Sequence, residues 1–91
     1  MPFQLVFTEA YTDRAFRFLK RHPDIKRQYA KTMALLEANP YHPSLRLHTL
    51  AGKHKDLHSV SINLSYRITL ELLIKDQQIT PVNVGDHDAV Y

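Results

Sequence analysis

Four residues have side chains suited to acid–base chemistry on a phosphodiester: His48, Arg67, His87 and Tyr91. Cleavage of RNA by its own 2′-hydroxyl needs a base for that proton, an acid for the leaving oxygen and a cation for the crowded phosphorane. Histidines exchange protons near neutral pH, an arginine supplies a fixed charge, and an aromatic ring stacks on a base. The residue types fit this reaction, provided that the fold brings them together.

Other site chemistries have less support in the sequence. There is no cysteine, so disulfides, thiolate metal sites and cysteine nucleophiles are excluded. His54 and His58 have the i, i+4 spacing of metal ligands on a helix, but they fall in a predicted loop and strand. Residues 86–88 (Asp-His-Asp) alternate in direction along an extended segment, so one ion cannot easily collect all three. No serine lies in a nucleophile-elbow motif. We therefore expect no metal and no cofactor.

Arg67 lies between apolar residues on a strand that should be central in its sheet. One interpretation is an ion pair with Glu71, which is four residues further along and on the same face. The other is an anion site, because a guanidinium can hold a phosphate with two hydrogen bonds. The sequence leaves both open.

Two predicted helices follow a short first strand. A β-branched and aromatic run at 3–7 predicts that strand, and Thr8 is the expected N-cap of the first helix. This helix ends at His22, since the residue before a proline is disfavoured in the α region. The second helix runs to about Ala38, and Pro40 follows it closely. The short connection predicts an αα-hairpin.

Period-two alternation predicts four further strands. The first, at 45–50, is short and weak, and the others cover 57–63, 66–74 and 79–84. Pro81 inside the last strand indicates a bulge or an unpaired N–H. The expected fold is α+β, in the order β-α-α-β-β-β-β, with an antiparallel sheet covered on one face by the helical hairpin.

Alternation also divides the sheet into two faces. The predicted core face carries Val60, Ile62, Ile68, Leu70, Leu72, Val82 and Val84. The opposite face carries Ser59, Ser61, Arg67, Thr69, Glu71 and Asn83.

The whole chain, 1–91, is expected to form one domain, with 44% hydrophobic residues for a single core. No apolar run approaches the roughly 18 residues of a membrane span, and no signal peptide is evident, so a cytoplasmic protein without membrane contact is expected. Basic residues dominate 14–31, where Asp24 is the only acid. This indicates either a polyanionic or acidic partner, or a solvated helix face.

Three segments resemble motifs of the RelE/ParE superfamily of small bacterial toxins, most closely the YafQ-like mRNA interferases. Residues 48–52 (HTLAG) are similar to the family's H-x-L-x-G segment, and 65–68 (SYRI) to the strand with its arginine. Residues 85–91 (GDHDAVY) are similar to the family's G-x-H-x-x-L/V/I-F/Y ending. Together with the element order, the resemblance covers essentially the whole chain.

The resemblance implies the toxin of a type II toxin–antitoxin system, which enters the ribosomal A site and cuts mRNA without a metal. It implies His48 and His87 as the acid/base pair, Arg67 on the scissile phosphate and Tyr91 against a nucleotide. Expected RNA contacts are Lys53, His54, Lys55, His58, Ser61 and Asn83. Expected contacts to the antitoxin or to ribosomal RNA are Arg14, Arg17, Arg21 and Arg27. Operator DNA would be reached only through the antitoxin complex.

The sequence departs from the family pattern at three places. Ser61 stands where YafQ-like toxins have a third histidine, 63–65 (NLS) where they have an aspartate in the hairpin turn, and Asn83 where a basic residue is frequent. His58 is one replacement for the missing histidine. Two alternatives therefore stay open: a ParE-like toxin that binds gyrase without catalysis, and a weakened homologue that acts as an antitoxin-bound co-repressor. The histidine-rich ending counts against the first.

Overall fold

The computed structural model describes residues 2–50 and 57–86. Its elements are β1 (Gln4–Leu5), α1 (Glu9–Arg21), α2 (Lys26–Ala38), β2 (His48–Thr49), β3 (Leu57–Ser61), β4 (Tyr66–Leu73) and β5 (Gln78–Asp86). Short 3₁₀ turns at Pro23–Ile25 and Pro43–Leu45 precede α2 and β2. The predicted α+β class and element order are confirmed.

The helices begin and end where local chemistry requires. The Thr8 side-chain oxygen accepts a hydrogen bond from the Tyr11 backbone N–H at 3.1 Å, which caps α1. His22, before Pro23, leaves the helical region with φ −130° and ψ 64°. The Tyr11 and Tyr29 hydroxyls lie 2.7 Å apart and link α1 to α2. The two helices thus contact each other, as expected for a hairpin.

The five strands form one sheet in the order β1-β5-β4-β3-β2. The pairs β2–β3, β3–β4 and β4–β5 are antiparallel, as predicted, whereas β1 pairs parallel with β5. The sheet is therefore mixed, and β1 is shorter than the predicted strand at 3–7. The backbone N–H groups of Phe3 and Val6 bond at 2.8 Å to the carbonyls of Glu37 and Ile79. Parallel pairing requires the chain to cross over through the helices, which local alternation does not reveal.

A bulge interrupts β5 at Val82, as Pro81 indicated. Two consecutive β4 residues pair with Pro81 and Asn83, so Val82 is left out of the ladder. Its side chain is 38% exposed, whereas Pro81 is fully buried. The Val82 carbonyl accepts a hydrogen bond from Arg14 Nη1 at 3.1 Å. The prediction that Val82 lies in the core is wrong, because the extra residue reverses the alternation and Pro81 takes the core position.

One apolar core lies between the helices and the sheet. The helices contribute Tyr11, Ala15, Phe18, Met33 and Leu36, and the turn between them contributes Ile25. The sheet contributes Val60, Ile68, Leu70, Leu72, Ile79 and Val84, with Ile62 half-buried at the margin. Apart from Val82, the predicted core face is therefore confirmed. Among the residues that the structure describes, no helix has the length and apolarity needed to cross a bilayer.

Candidate functional site

The sheet face opposite the core carries the polar residues in rows that run across the strands. Cross-strand partners share a face, so the register defines each row. The first row, from β2 to β5, consists of His48, Ser59, Thr69 and Asn83. The second row consists of Ser61, Arg67 and Gly85. We call these two rows the polar face.

Arg67 is half-buried at the centre of the polar face, and its Nε is buried without a hydrogen-bond partner. In the described part of the chain it forms no ion pair with Glu71, which lies about 13 Å further along β4. The ion-pair interpretation is therefore wrong. A buried donor without an acceptor costs about 1–3 kcal/mol. An anionic ligand would supply the missing acceptor.

Ser59 presents a second unpartnered atom beside Arg67. Its side chain is 1% exposed and its Oγ has no hydrogen-bond partner. Because Ser61 is the direct partner of Arg67, Ser59 is a diagonal neighbour, about 7–8 Å away between Cα atoms. The sequence placed Ser59 on this face but assigned it no role. Its only signal was a hydroxyl residue on a central strand, and its burial depends on the tertiary structure.

His48 lies on the same face with one ring nitrogen already engaged. Its Nδ1 is 3.2 Å from the Arg46 carbonyl oxygen. A carbonyl only accepts, so Nδ1 carries the proton and Nε2 of the neutral ring keeps the lone pair of a base. Two strand spacings and one row separate His48 from Arg67, about 12 Å between Cα atoms. A ligand between the two could contact both side chains.

His58 faces the other way. Its cross-strand partners are Thr49 and Leu70, on the side of the sheet that carries the core. Its Nε2 lies 3.4 Å from the Thr49 hydroxyl. The structure therefore does not bring His58 together with Arg67, and a role as replacement base would need another orientation.

Two of the family departures have structural roles here. Asn83, in the first row, accepts a hydrogen bond at Oδ1 from the Val84 N–H at 3.0 Å. Asn63 Oδ1 accepts from the N–H groups of Ser65 and Tyr66 at 2.8 and 2.9 Å. This side chain closes the β3–β4 turn, as Asn and Asp commonly do. The turn therefore does not depend on the aspartate of the family pattern.

Several predicted site residues lie outside the described part of the chain: Lys53, His54, Lys55, His87 and Tyr91. The last described residues before His87 are Gly85, opposite Arg67, and Asp86, opposite Tyr66.

The four arginines predicted to contact a partner are exposed on the helices. Arg14, Arg17 and Arg21 follow one another at i, i+3 and i+7, so they share one side of α1. Arg27 lies in the first turn of α2. This side remains accessible to an acidic or polyanionic partner.

Comparison of the sequence with protein-family profiles gave no match, and comparison with curated proteins gave none. Solved structures are similar along the whole chain. YafQ from E. coli strain BL21(DE3) has a TM-score of 0.79 at 18% identity, over 98% of each chain. A chain of the E. coli DinJ–YafQ toxin–antitoxin complex has a TM-score of 0.80 at 19% identity, over 100% of this chain and 99% of that one. The RelBE2 toxin–antitoxin complex from Mycobacterium tuberculosis gives 0.70 at 14%, over 96% and 100%.

The chain therefore has the fold of the RelE/ParE-like toxins. Its fold is more similar to the two YafQ chains, with TM-scores of 0.79 and 0.80, than to the RelBE2 chain, with 0.70.

Proposed function

We propose that this chain is the toxin of a type II toxin–antitoxin system and that it cleaves translated mRNA on the ribosome without a metal. The observation that carries the proposal is the buried, unpartnered Nε of Arg67, beside the unpartnered Ser59 Oγ. Such an arginine can bind a phosphate without breaking a hydrogen bond within the protein. The toxins that share the fold support the same assignment.

In the proposed reaction, a base removes the 2′-hydroxyl proton and the 2′-oxygen attacks the phosphorus. The bond to the 5′-oxygen breaks, and an acid protonates this leaving oxygen. His48, through Nε2, and His87 form the acid/base pair, and each positioned group contributes roughly 10²–10⁴-fold. Arg67 stabilises the charge of the phosphorane. Tyr91 orients or stacks on a nucleotide.

The proposed partners follow from the charges. Lys53, His54 and Lys55 would contact RNA, together with the polar face. The exposed arginines of α1 and α2 would contact an acidic antitoxin segment or ribosomal RNA. The antitoxin would keep the toxin inactive in the cytoplasm, and operator DNA would be bound only through the complex.

One observation favours a second candidate, a weakened homologue that binds the antitoxin as a co-repressor. Ser61 lies directly opposite Arg67, so a hydroxyl occupies the position from which a third histidine would reach the phosphate. A serine hydroxyl does not ionise near neutral pH, so catalysis would lose one acid–base group.

Primer extension on a translated mRNA after brief induction tests the proposal. The wild type should produce new cuts, which His87→Ala and Arg67→Gln should abolish. Lys75→Gln is the matched control, since it removes an exposed cation from the β4–β5 turn. Variants as toxic as the wild type would refute the site assignment. Growth arrest with intact mRNA and an SOS response would assign a gyrase target, and absence of arrest would favour the co-repressor.

A further inference from the structure

A groove with a mixed polar and apolar lining separates α2 from the end of β3. It has two connected parts, of about 180 and about 300 Å³. Both parts are lined by Gln28, Ser44, Ser61 and Ile62. Lys31 lines the first part, and Arg46 and Asn63 line the second. We call this feature the α2–β3 groove.

The charged residues among the described lining of the α2–β3 groove are both cations. Lys31 and Arg46 line it, whereas no aspartate or glutamate does among the described lining residues. Neither cation forms an ion pair within the described part of the chain. An anionic ligand would therefore meet two free cations without displacing an existing partner.

Neutral polar residues also line the groove, and one hydrogen bond connects its two sides. Asn63 Nδ2 donates to Gln28 Oε1 at 3.3 Å, which links the β3–β4 turn to α2. Ser44 and Ser61 also line both parts of the groove. Hydroxyl and amide groups suit the oxygens of a sugar–phosphate backbone. Leu35, Leu45 and Leu64 also line the groove, so its cations and amide groups lie beside apolar side chains.

The backbone of Arg46, which lines the groove, is in the left-handed region, with φ 51° and ψ 46°. A residue other than glycine costs roughly 1–2 kcal/mol there. The turn at Arg46 directs the chain from the Pro43–Leu45 turn into β2, where His48 follows two residues later. Backbone strain of this kind is concentrated at functional sites. Arg46 therefore links the groove to His48, a proposed catalytic residue.

The groove also reaches the polar face through Ser61. This residue lines both parts of the groove and is the direct partner of Arg67. Along β3, the chain of β2 pairs with His58 and Ser59 and bonds to Leu57, so within the described residues the edge of β3 at Ser61 lies beyond this ladder. A strand bound at Arg67 could therefore continue across this edge into the groove.

We propose that the α2–β3 groove binds the phosphate backbone of single-stranded RNA, with Lys31 and Arg46 each contacting a phosphate. This inference rests on the proposed function, because the strand in the groove would be the one whose scissile phosphate lies at Arg67. Continuity with the polar face favours RNA over an acidic protein segment.

Fluorescence anisotropy with a labelled single-stranded oligouridylate tests the groove on the full chain. The Lys31→Gln/Arg46→Asn variant removes both cations, and asparagine tolerates the left-handed backbone. The Lys75→Glu variant is the matched control, since it changes the net charge by the same two units at an exposed position outside the basic stretch 14–31. We expect the groove variant to bind about tenfold more weakly. Its salt dependence, the slope of log K against log salt concentration, should fall by about 1.4, because each phosphate contact on a single strand contributes about 0.7.

Equal affinities and salt slopes for the two variants would overturn the inference, and so would weaker binding by the control. Thermal unfolding at the wild-type temperature excludes misfolding as the cause of a loss. If polyglutamate of equal charge displaced the RNA as well as unlabelled oligouridylate does, the groove would belong to an acidic protein segment instead. The proposed function fails separately: groove-dependent RNA binding without mRNA cleavage would retain the groove and reject the nuclease.

Discussion

Ser61 on β3 is the direct cross-strand partner of Arg67 on β4. The Cβ atoms of such partners lie about 4.5–5.5 Å apart, so the side chain at position 61 is a direct neighbour of the Arg67 side chain. Serine is too short to satisfy the buried Nε of Arg67, which has no hydrogen-bond partner. This pair leaves the Nε of Arg67 without an acceptor from β3, and the half-buried Ser61 leaves room for a larger group at position 61.

The first prediction concerns that room. Ser61→His should place an imidazole opposite Arg67 and raise the rate of mRNA cleavage on ribosomes by about 10²-fold at neutral pH, because it adds an acid–base group. The pH–rate profile should gain a limb near the ordinary histidine pKa of about 6.5. Ser61→Asn, which adds bulk but no titrating group, is the control. An equal gain with asparagine would show that packing, and not proton transfer, limits the rate.

The second prediction separates stability from activity at Arg67. Arg67→Met removes a buried donor that has no acceptor, so the free energy of unfolding should rise by about 1 kcal/mol. For a domain of this size the melting temperature would rise by about 4–8 °C. Cleavage should fall about 10²–10³-fold with the loss of the cation. Thermal unfolding and the ribosome assay measure the two effects, and a lower melting temperature would indicate that Nε has a partner in solution.

The third prediction uses the buried tyrosine pair. Burial, with the nearby Tyr29 hydroxyl, raises the pKa of Tyr11 above its ordinary 10.0, and burial also raises that of Tyr29. The folded state keeps these protons while the unfolded chain loses them above about pH 10. Their contribution to stability is therefore complete below pH 10 and falls as the pH rises above it.

Tyr11→Phe should reduce this alkaline decline in denaturant unfolding measured from pH 9 to about 11.5. Tyr41→Phe, at an exposed position, is the control. The same decline in both variants would show that the Tyr11–Tyr29 pair does not cause it.

The fourth prediction tests the bulge in β5. Val82→Ser should change the free energy of unfolding by less than about 0.5 kcal/mol, since the side chain is 38% exposed. Val84→Ser, two residues on, should cost about 2 kcal/mol or more, because its side chain is 8% exposed and lies in the core. Chemical denaturation compares the two directly. Similar costs would mean that β5 is regular and that Val82 points into the core.

Local patterns in the sequence determined most of the elements. The cap at Thr8, the stop at His22-Pro23 and the alternation from Leu57 to Leu73 depend on neighbouring residues, and the structure agrees with them. Pro81 also indicated the bulge correctly, because a proline without an N–H disrupts a ladder wherever it lies. The alternation likewise placed Ser61 and Arg67 on one face before any pairing was known.

Only the tertiary structure decided how those elements meet. The parallel pairing of β1 with β5 joins residues more than 70 positions apart (Gln4 with Gln78), and no local signal specifies it. The missing partners of Ser59 and Arg67 depend on what surrounds each atom after packing. The sequence by itself determined which side chains could act, because residue type and period are local properties. The register of β2 against β3 decided that His48 joins Ser59 and Arg67 on one face, because pairing between distant strands is set by the packed core and not by neighbours along the chain.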